Sequence, residues 1–336
     1  MKIAILGAGS IGVYVGGCLR AAGGDVVLIG RERMRQRLAT HGLKVSDYRG
    51  WSASVEGSDV CYAATPDALA KSDLVLVCVK SADTAQAADQ VRRCAPGHAL
   101  VASFQNGIGN VDVLRAALPD RPVVGGMVPF NVVQLPDGRL HRGTPGEIMV
   151  QAHAAWKPWL ELFCAATIPL GLRNDFVQVQ WGKLVLNLNN AVNALSGQPL
   201  RAQLMTRAYR TVVAQLIDEA LTALQAAGVE PVQIGAFAPD KLPNLLRLPD
   251  DEFVRVAAAL VAIAPEARSS MWEDFEAGRL TEVDELNGAV VRLAAQHGLA
   301  APANEAICAL VHAAEKGGNR HIGGEALMDA VLTCKA

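Results

Sequence analysis

Met1-Lys2-Ile3-Ala4-Ile5-Leu6-Gly7-Ala8-Gly9-Ser10-Ile11-Gly12 is the stretch that decides the fold. Its first six residues form a short apolar run of strand character. The next six space their glycines as G-x-G-x-x-G, and an apolar stretch with helical spacing follows at once. Strand, glycine turn and helix in this order are the setting that a dinucleotide pyrophosphate needs. Gly7 allows the tight turn, Gly9 lets the backbone approach the phosphates, and Gly12 lets the helix pack close to the strand. Ala8, Ser10 and Ile11 complete the expected cofactor loop. The helix N-terminus presents free N–H groups and a partial positive charge to the anion. Glycines also punctuate ordinary βα turns; the placement after one clean strand and at a helix start favours the cofactor.

The second strand indicates which cofactor. Asp25-Val26-Val27-Leu28-Ile29 reads as a buried strand, and Gly30-Arg31-Glu32-Arg33 follows it. A site that prefers NAD usually carries an acid here for the ribose 2′-hydroxyl. Arg31 stands there instead, with Arg33 beside it, and a guanidinium fork pairs well with a 2′-phosphate. NADP(H) is therefore expected. The competing view is two solvated loop arginines with Glu32 between them.

With 336 residues, 51% of them hydrophobic and 19% charged, the chain can bury a sizeable core in one large or two medium domains. A net charge of −2, and no basic stretch interleaved with aromatics, argue against nucleic acid as a partner. The N-terminal apolar run is too short for a signal peptide. The richest later apolar segment, at 254–264, is too short to span a membrane and contains Arg255. A cytoplasmic protein is expected. Cys18, Cys61, Cys78, Cys94, Cys164, Cys308 and Cys334 are scattered and form no C-x-x-C pair, which argues against a disulfide framework and a zinc site. The seven histidines show no ligand spacing either, so no metal is expected.

Strand signals at 2–6, 25–30, 73–79, 99–104, 123–128 and 147–151 alternate with helical ones, notably 11–22 and 84–94. That alternation predicts an α/β, Rossmann-type doubly wound domain with a parallel sheet. The stretch 43–56 reads as a small hairpin insertion. After about residue 174 strand signals vanish, and helical patterns run over 176–196, 201–227, 250–277, 280–297 and 302–315, with a last short helix near 324–332. Gly228 and Gly298 sit where helix C-caps belong. The expected organisation is a nucleotide-binding domain over 1–174 and an all-helical domain over 175–336, with the active site in the cleft between them.

Three constellations beyond the glycine turn carry chemistry. Lys80 emerges from the apolar run Val75-Leu76-Val77-Cys78-Val79 at the sheet edge where ligands lie. A strand-end lysine in water is an equally good reading of that position alone. Phe104-Gln105-Asn106-Gly107-Ile108-Gly109 ends the next strand; Asn106 offers a donor and an acceptor, although Asn-Gly is also a common turn. Trp181-Gly182-Lys183-Leu184-Val185-Leu186-Asn187 opens the helical half. Lys183 and Asn187, four apart, share a helix face, and Asn190 and Asn193 follow among apolar neighbours where polar groups must find partners. Further on, Ser269-Ser270-Met271 and Thr281-Glu282-Val283-Asp284 offer a hydroxyl and a carboxylate, each weak alone because both patterns also cap helices.

In order and approximate spacing, these pieces resemble the ketopantoate reductase (2-dehydropantoate 2-reductase) family over nearly the whole chain. The resemblance implies NADPH-dependent reduction of 2-dehydropantoate to pantoate, a step toward pantothenate and coenzyme A. It implies Lys183 as general acid, Asn106 in contact with cofactor and substrate, and Lys80 near the cofactor ribose. Asn187 and Ser270 resemble substrate-binding residues, and Glu282 matches a glutamate that reaches the cofactor. The family commonly has an asparagine eight residues after the lysine, followed by proline; that position is Ala191 here. Local sequence points to Asn193 as its replacement, because Asn193-Ala194-Leu195-Ser196 resembles the family's Asn-Pro-Leu-Ser/Thr, and Asn193 is the expected substrate ligand. Helix geometry points to Asn190, seven residues after Lys183. A family asparagine three residues before the serine is Ala267. Both departures fall on the substrate side, so another 2-oxo acid or an imine is the alternative substrate. A non-catalytic NADPH sensor is the alternative class. The oligomeric state stays open, with a homodimer among the options.

Overall fold

The computed structural model of the chain describes residues 1–261 and 264–333. Cys334 lies outside these residues, as do 262 and 263 within the expected helix 250–277. The chain divides into two compact units, Met1–Phe176 and Val177–Ala336. The expected boundary at 174/175 falls two residues earlier. Phe176 belongs to the first unit because its ring lies on Gly125 of the sheet, where a Cβ would come within 2.1 Å of it.

The first unit is built on an eight-stranded sheet. From one edge the strands are Leu170–Arg173, Ile148–Gln151, Val123–Met127, Leu100–Ser103, Leu74–Val77, Lys2–Leu6, Asp25–Ile29 and Cys61–Ala63. The last six of these are mutually parallel, with Lys2–Leu6 at the centre between Asp25–Ile29 and Leu74–Val77. Their chain order is the doubly wound 3-2-1-4-5-6 arrangement of a dinucleotide-binding sheet. The expectation of a parallel sheet needs one correction: Ile148–Gln151 runs antiparallel to Val123–Met127 and carries Leu170–Arg173 beside it. Neither Cys61–Ala63 nor Leu170–Arg173 was expected. The first is only three residues long and the second has no buried position, so neither shows a long apolar run.

Both faces of the sheet are covered, which explains its near-continuous apolar strands. Ile3, Ile5 and Leu28 enter one core cluster, whereas Ala4, Leu6, Val27, Val75 and Val77 enter the other. The period-two alternation of strand side chains thus feeds two cores. The hairpin expected at 43–56 forms, pairing Leu43–Asp47 with Ser52–Val55. It is extended by Leu140–Arg142 and Val132–Gln134 into a separate four-stranded sheet.

All elements assigned in the second unit are helical. Arg207–Ala226 is its longest helix. It ends as expected, with Gly228 at φ 68° and the Val229 N–H bonded back to the Leu224 carbonyl; Gly298, also at φ 68°, closes Asn287–Gln296 in the same way. Four expected helices are shorter or broken. The run 201–227 divides at Thr206, whose backbone is extended, into Leu200–Met205 and Arg207–Ala226. The run 176–196 is interrupted at Leu188 into Phe176–Asn187 and Asn189–Ser196. The run 250–277 divides into Asp250–Val256, Ala258–Val261 and Ser270–Glu276, with Pro265 among the non-helical residues 264–269. The run 280–297 begins its α-helix only at Asn287, after a 3₁₀ turn over Val283–Glu285.

Buried polar side chains tie these helices together. Arg210, fully buried, donates to the carbonyls of Leu204, Leu246 and Leu248 and to Asp250, and stacks on Phe253. Glu219 accepts from the Ala303 and Asn304 N–H groups, filling the start of Pro302–Glu315 where helix donors lack partners. Among the described residues no helix is long and apolar enough to cross a membrane.

Candidate functional site

The three glycines of the first turn do different things. Gly7 holds φ 109°, a region that L side chains rarely adopt, and a Cβ there would sit 2.6 Å from the Cys78 carbonyl carbon and the Val79 nitrogen. A Cβ on Gly12 would lie 2.3 Å from the Gly7 oxygen and 2.9 Å from Ile5. These two residues are glycine because neighbouring chain occupies the space. Gly9 differs: nothing lies within 4 Å of its would-be Cβ. Gly9 is also the N-cap of Ser10–Ala21, with no side-chain cap. The N–H groups of Ser10, Ile11 and Gly12 therefore have no acceptor within the helix. A glycine that faces open space, followed by a free helix N-terminus, fits a pyrophosphate.

Ala8 packs at the end of the second strand, where a Cβ on Gly30 would meet it at 2.6 Å. Arg31 follows as the exposed N-cap residue of Glu32–His41. Its carbonyl accepts from the Tyr62 hydroxyl at 2.9 Å. Glu32 does not neutralise it. The Glu32 carboxylate is gripped by Arg35 through several short bonds, one of 2.8 Å, which hold its pKa below the usual carboxylate range.

Lys80 and Asn106 sit on the two loops that leave the next strands at the same sheet edge. Because Cys78 and Val79 touch Gly7, the Lys80 loop runs against the glycine turn. The Asn106 loop is fastened to it: Gln105 Nε2 donates to the Val79 carbonyl at 3.1 Å, and Ser81 Oγ donates to the Asn106 carbonyl at 3.3 Å. The structure thus gathers the 7–12 turn, Arg31, Lys80 and Asn106 on one edge of the first unit. Gly107 and Gly109, at φ 82° and 98°, make the turn after Asn106.

In the second unit, Lys183 is half-buried on Phe176–Asn187. Burial pulls its pKa down to about 8, and the negative charge of Glu282 opposes that shift. Glu282 itself is buried, at the turn that precedes Val283–Glu285. The structure therefore pairs electrostatically two residues that lie 99 positions apart in the sequence. Gly182, which the sequence reading passed over, explains how the helix is held beside Lys183. The Val232 N–H bonds to the Gln178 carbonyl, and a Cβ on Gly182 would lie 2.0 Å from the Val232 oxygen. Only glycine lets that segment cross so near. The Trp-Gly-Lys order was the available signal.

The asparagines separate. Asn193 is fully buried; its Nδ2 donates to the Gln198 carbonyl at 2.9 Å and its Oδ1 accepts from the Ser269 N–H at 2.9 Å. The expectation that Asn193 faces a substrate is thereby corrected: both ends of its amide brace the helical unit. Asn187 and Asn190 are half-buried, and among the described residues neither side-chain amide makes a hydrogen bond. Leu188 separates the two helices yet keeps helical angles, φ −58° and ψ −26°, and its N–H bonds to the Leu184 carbonyl, so the wheel argument that aligned Asn190 with Lys183 carries through it. Of the two serines, Ser269 is buried, caps Ser270–Glu276 through the Trp272 N–H, and donates to the Asn190 carbonyl. Ser270, the expected ligand, is exposed at the helix start. Ala191 is fully buried, and the Ala267 carbonyl accepts from the Leu200 N–H.

The described cysteines Cys18, Cys61, Cys78, Cys94, Cys164 and Cys308 are all free. Among the described residues no group of His, Cys, Asp and Glu could hold a metal ion.

Comparison with known proteins gives a consistent result. Residues 3–155 match the family model described as ketopantoate reductase PanE/ApbA, and residues 175–315 match its C-terminal counterpart. A 2-dehydropantoate 2-reductase of Caulobacter vibrioides is 31% identical over 75% of this chain and 81% of its own length. One from Halobacterium salinarum is 28% identical over 95% of this chain and all of its own. The crystal structure of a PanE/ApbA family ketopantoate reductase from Ralstonia eutropha superposes with TM-score 0.80 at 30% identity, covering 94% of this chain and 99% of that one. The chain belongs to the ketopantoate reductase family, whose members are NAD(P)-dependent oxidoreductases acting on a CH–OH group.

Proposed function

We propose that the chain reduces the ketone of a 2-oxo acid, with ketopantoate as substrate, NADPH as cofactor and Lys183 as general acid. The observation that carries this reading is Lys183 itself: a half-buried amine whose pKa is brought to about 8, beside a buried carboxylate. An acid is most useful when its pKa lies near the working pH, and positioned proton donors are typically worth about 10²–10⁴-fold. Burial favours the neutral amine and Glu282 favours the ammonium; together they leave a group that can both hold and release a proton near neutrality.

When bound, the cofactor supplies a hydride to the ketone carbon. Lys183 stabilises the negative charge that grows on the ketone oxygen and donates its Nζ proton there, so the product is the 2-hydroxy acid. The Ser10, Ile11 and Gly12 N–H groups bind the pyrophosphate beside Gly9. Arg31 pairs with the 2′-phosphate, Lys80 reaches the ribose, and Asn106 orients both ligands. Asn187 and Asn190, whose amides are uncommitted within the described residues, bind the substrate's polar groups. Ser270 Oγ, exposed at its helix start, takes the carboxylate.

Alanine at 191 and 267 supports a second reading, in which the same chemistry serves another 2-oxo acid or an imine. A panel of 2-oxo acids and cyclic imines, read by NADPH or NADH oxidation, distinguishes the two. The expected result is a kcat/KM for ketopantoate at least about tenfold above every other compound, and about tenfold better with NADPH than with NADH. Reduction should be full below pH about 8 and fall as pH rises through it, because the ammonium is the active form. Tight cofactor binding with no turnover of any compound would support the sensor reading instead.

A further inference from the structure

Beneath the Lys80 and Asn106 loops lies a hydrogen-bonded chain of polar side chains, all almost wholly buried except the half-buried Gln105. Ser103, Thr84, Asn110 and Ser81 are 3%, 2%, 6% and 9% exposed. Ser103 Oγ donates to Gln105 Oε1 at 2.9 Å. Gln105 Nε2 donates to Thr84 Oγ1 at 2.7 Å and to the Val79 carbonyl at 3.1 Å. Thr84 Oγ1 donates to Asn110 Oδ1 at 2.8 Å. Asn110 Nδ2 then donates to Ser81 Oγ at 3.0 Å and to the Asn106 carbonyl at 2.7 Å. Both hydrogens of each amide are used, so each side chain has one orientation.

Burying so many polar groups is costly unless all are satisfied, and a satisfied network rigidifies what it touches. What it touches here is the backbone on either side of Lys80, at Val79 and Ser81, and the carbonyl of Asn106. The Asn106 loop needs such support because Gly107 and Gly109, both at positive φ, leave its backbone permissive. We infer that Thr84 and Asn110 are positioning residues: Thr84, at the start of Thr84–Cys94, orients Asn110, and Asn110 clamps the Asn106 carbonyl so that the Asn106 side chain is held for its ligands. The inference rests on the proposed contact of Asn106 with cofactor and substrate only in its consequence for catalysis. The clamp itself concerns the ligand-free chain.

The test uses Thr84→Val, which keeps the shape and removes the hydroxyl, with Thr84→Ser as the rescue. Hydrogen exchange of the ligand-free protein over 104–112 should speed up by at least about tenfold in Thr84→Val and by less than about threefold in Thr84→Ser, while the strand Lys2–Leu6 is unchanged. Unchanged exchange over 104–112, or equal acceleration throughout the unit, overturns the inference. In turnover of ketopantoate with NADPH, Thr84→Val should lower kcat about tenfold or more, and the loss should shrink at least about threefold when Asn106 is already Ala. An undiminished loss in that background means a merely structural effect and overturns it. If Asn106→Ala alone turns over normally, the assignment of Asn106 as a ligand fails, while the exchange result still decides the clamp.

Discussion

The glycine turn of the first unit and the asparagine-bearing helices of the second are built on opposite principles. The turn offers a ligand its backbone: φ angles, a close strand and N–H groups without a helix acceptor define it, and side chains matter mainly by being absent. The helices offer side chains, and packing distributes their internal bonds. Asn187, Asn190 and Asn193 are the same residue within seven positions, yet only Asn193 is consumed by internal bonds. Ser269 and Ser270 are adjacent, yet one caps a helix from inside and the other faces outward. A backbone site is specified locally. A side-chain site is specified by whatever the rest of the unit leaves unpaired.

The largest expected effect sharpens the first half of that contrast. Gly12→Val drives a side chain into the Gly7 carbonyl, so NADPH affinity should fall by at least about 100-fold and thermal stability should fall with it. Gly9→Ala has room for its methyl in the free protein, so its melting temperature should stay within about 2 °C of the parent while NADPH affinity drops about tenfold. Equal destabilisation by both variants, measured by thermal unfolding and cofactor titration, would break the distinction between a packing glycine and a binding one.

The second unit invites the corresponding pair. Asn187→Ala should lower kcat/KM for the keto acid by about 10–30-fold with little change in stability. Asn193→Ala removes two internal bonds and leaves the Ser269 N–H unpaired, so it should cost about 1–3 kcal/mol in urea unfolding and leave KM nearly unchanged. A reversal of these outcomes would mean that packing does not decide which asparagine is free. The smallest effect concerns Arg31, an exposed side chain on a loop. Arg31→Ala should narrow the preference for NADPH over NADH by about tenfold, the order of one charge-assisted bond. An unchanged ratio of the two Michaelis constants would remove Arg31 from the site.

The same contrast explains what the sequence made legible. The six central strand positions, the glycine turn and the change to helices near 174 stand out because each depends on a local period or on a glycine. The hairpin at 43–56 was visible for the same reason. Its partners Val132–Gln134 and Leu140–Arg142 were not, since three-residue strands carry no period and pairing across about a hundred positions is a tertiary event. The helix breaks at Leu188 and after Val256 escaped because the apolar pattern continues through them. The motif residues Lys183, Asn187, Ser270 and Glu282 stood out in the sequence as candidates, but the sequence could not divide them from Asn193. That division depends on the Gln198 carbonyl and the Ser269 N–H, and only packing brings them to it. The chain from Ser103 to Asn110 went unseen because each member is an ordinary strand-end, loop or helix-start residue on its own.

The central claim is that the Lys183 amine supplies the proton in reduction of a keto acid. Its most direct test is the turnover number of Lys183→Ala with saturating NADPH and ketopantoate, alongside a fluorescence titration of NADPH. Turnover at least about 100-fold below the parent, with cofactor affinity within about threefold, is the predicted result. Near-parental turnover in that variant would contradict it.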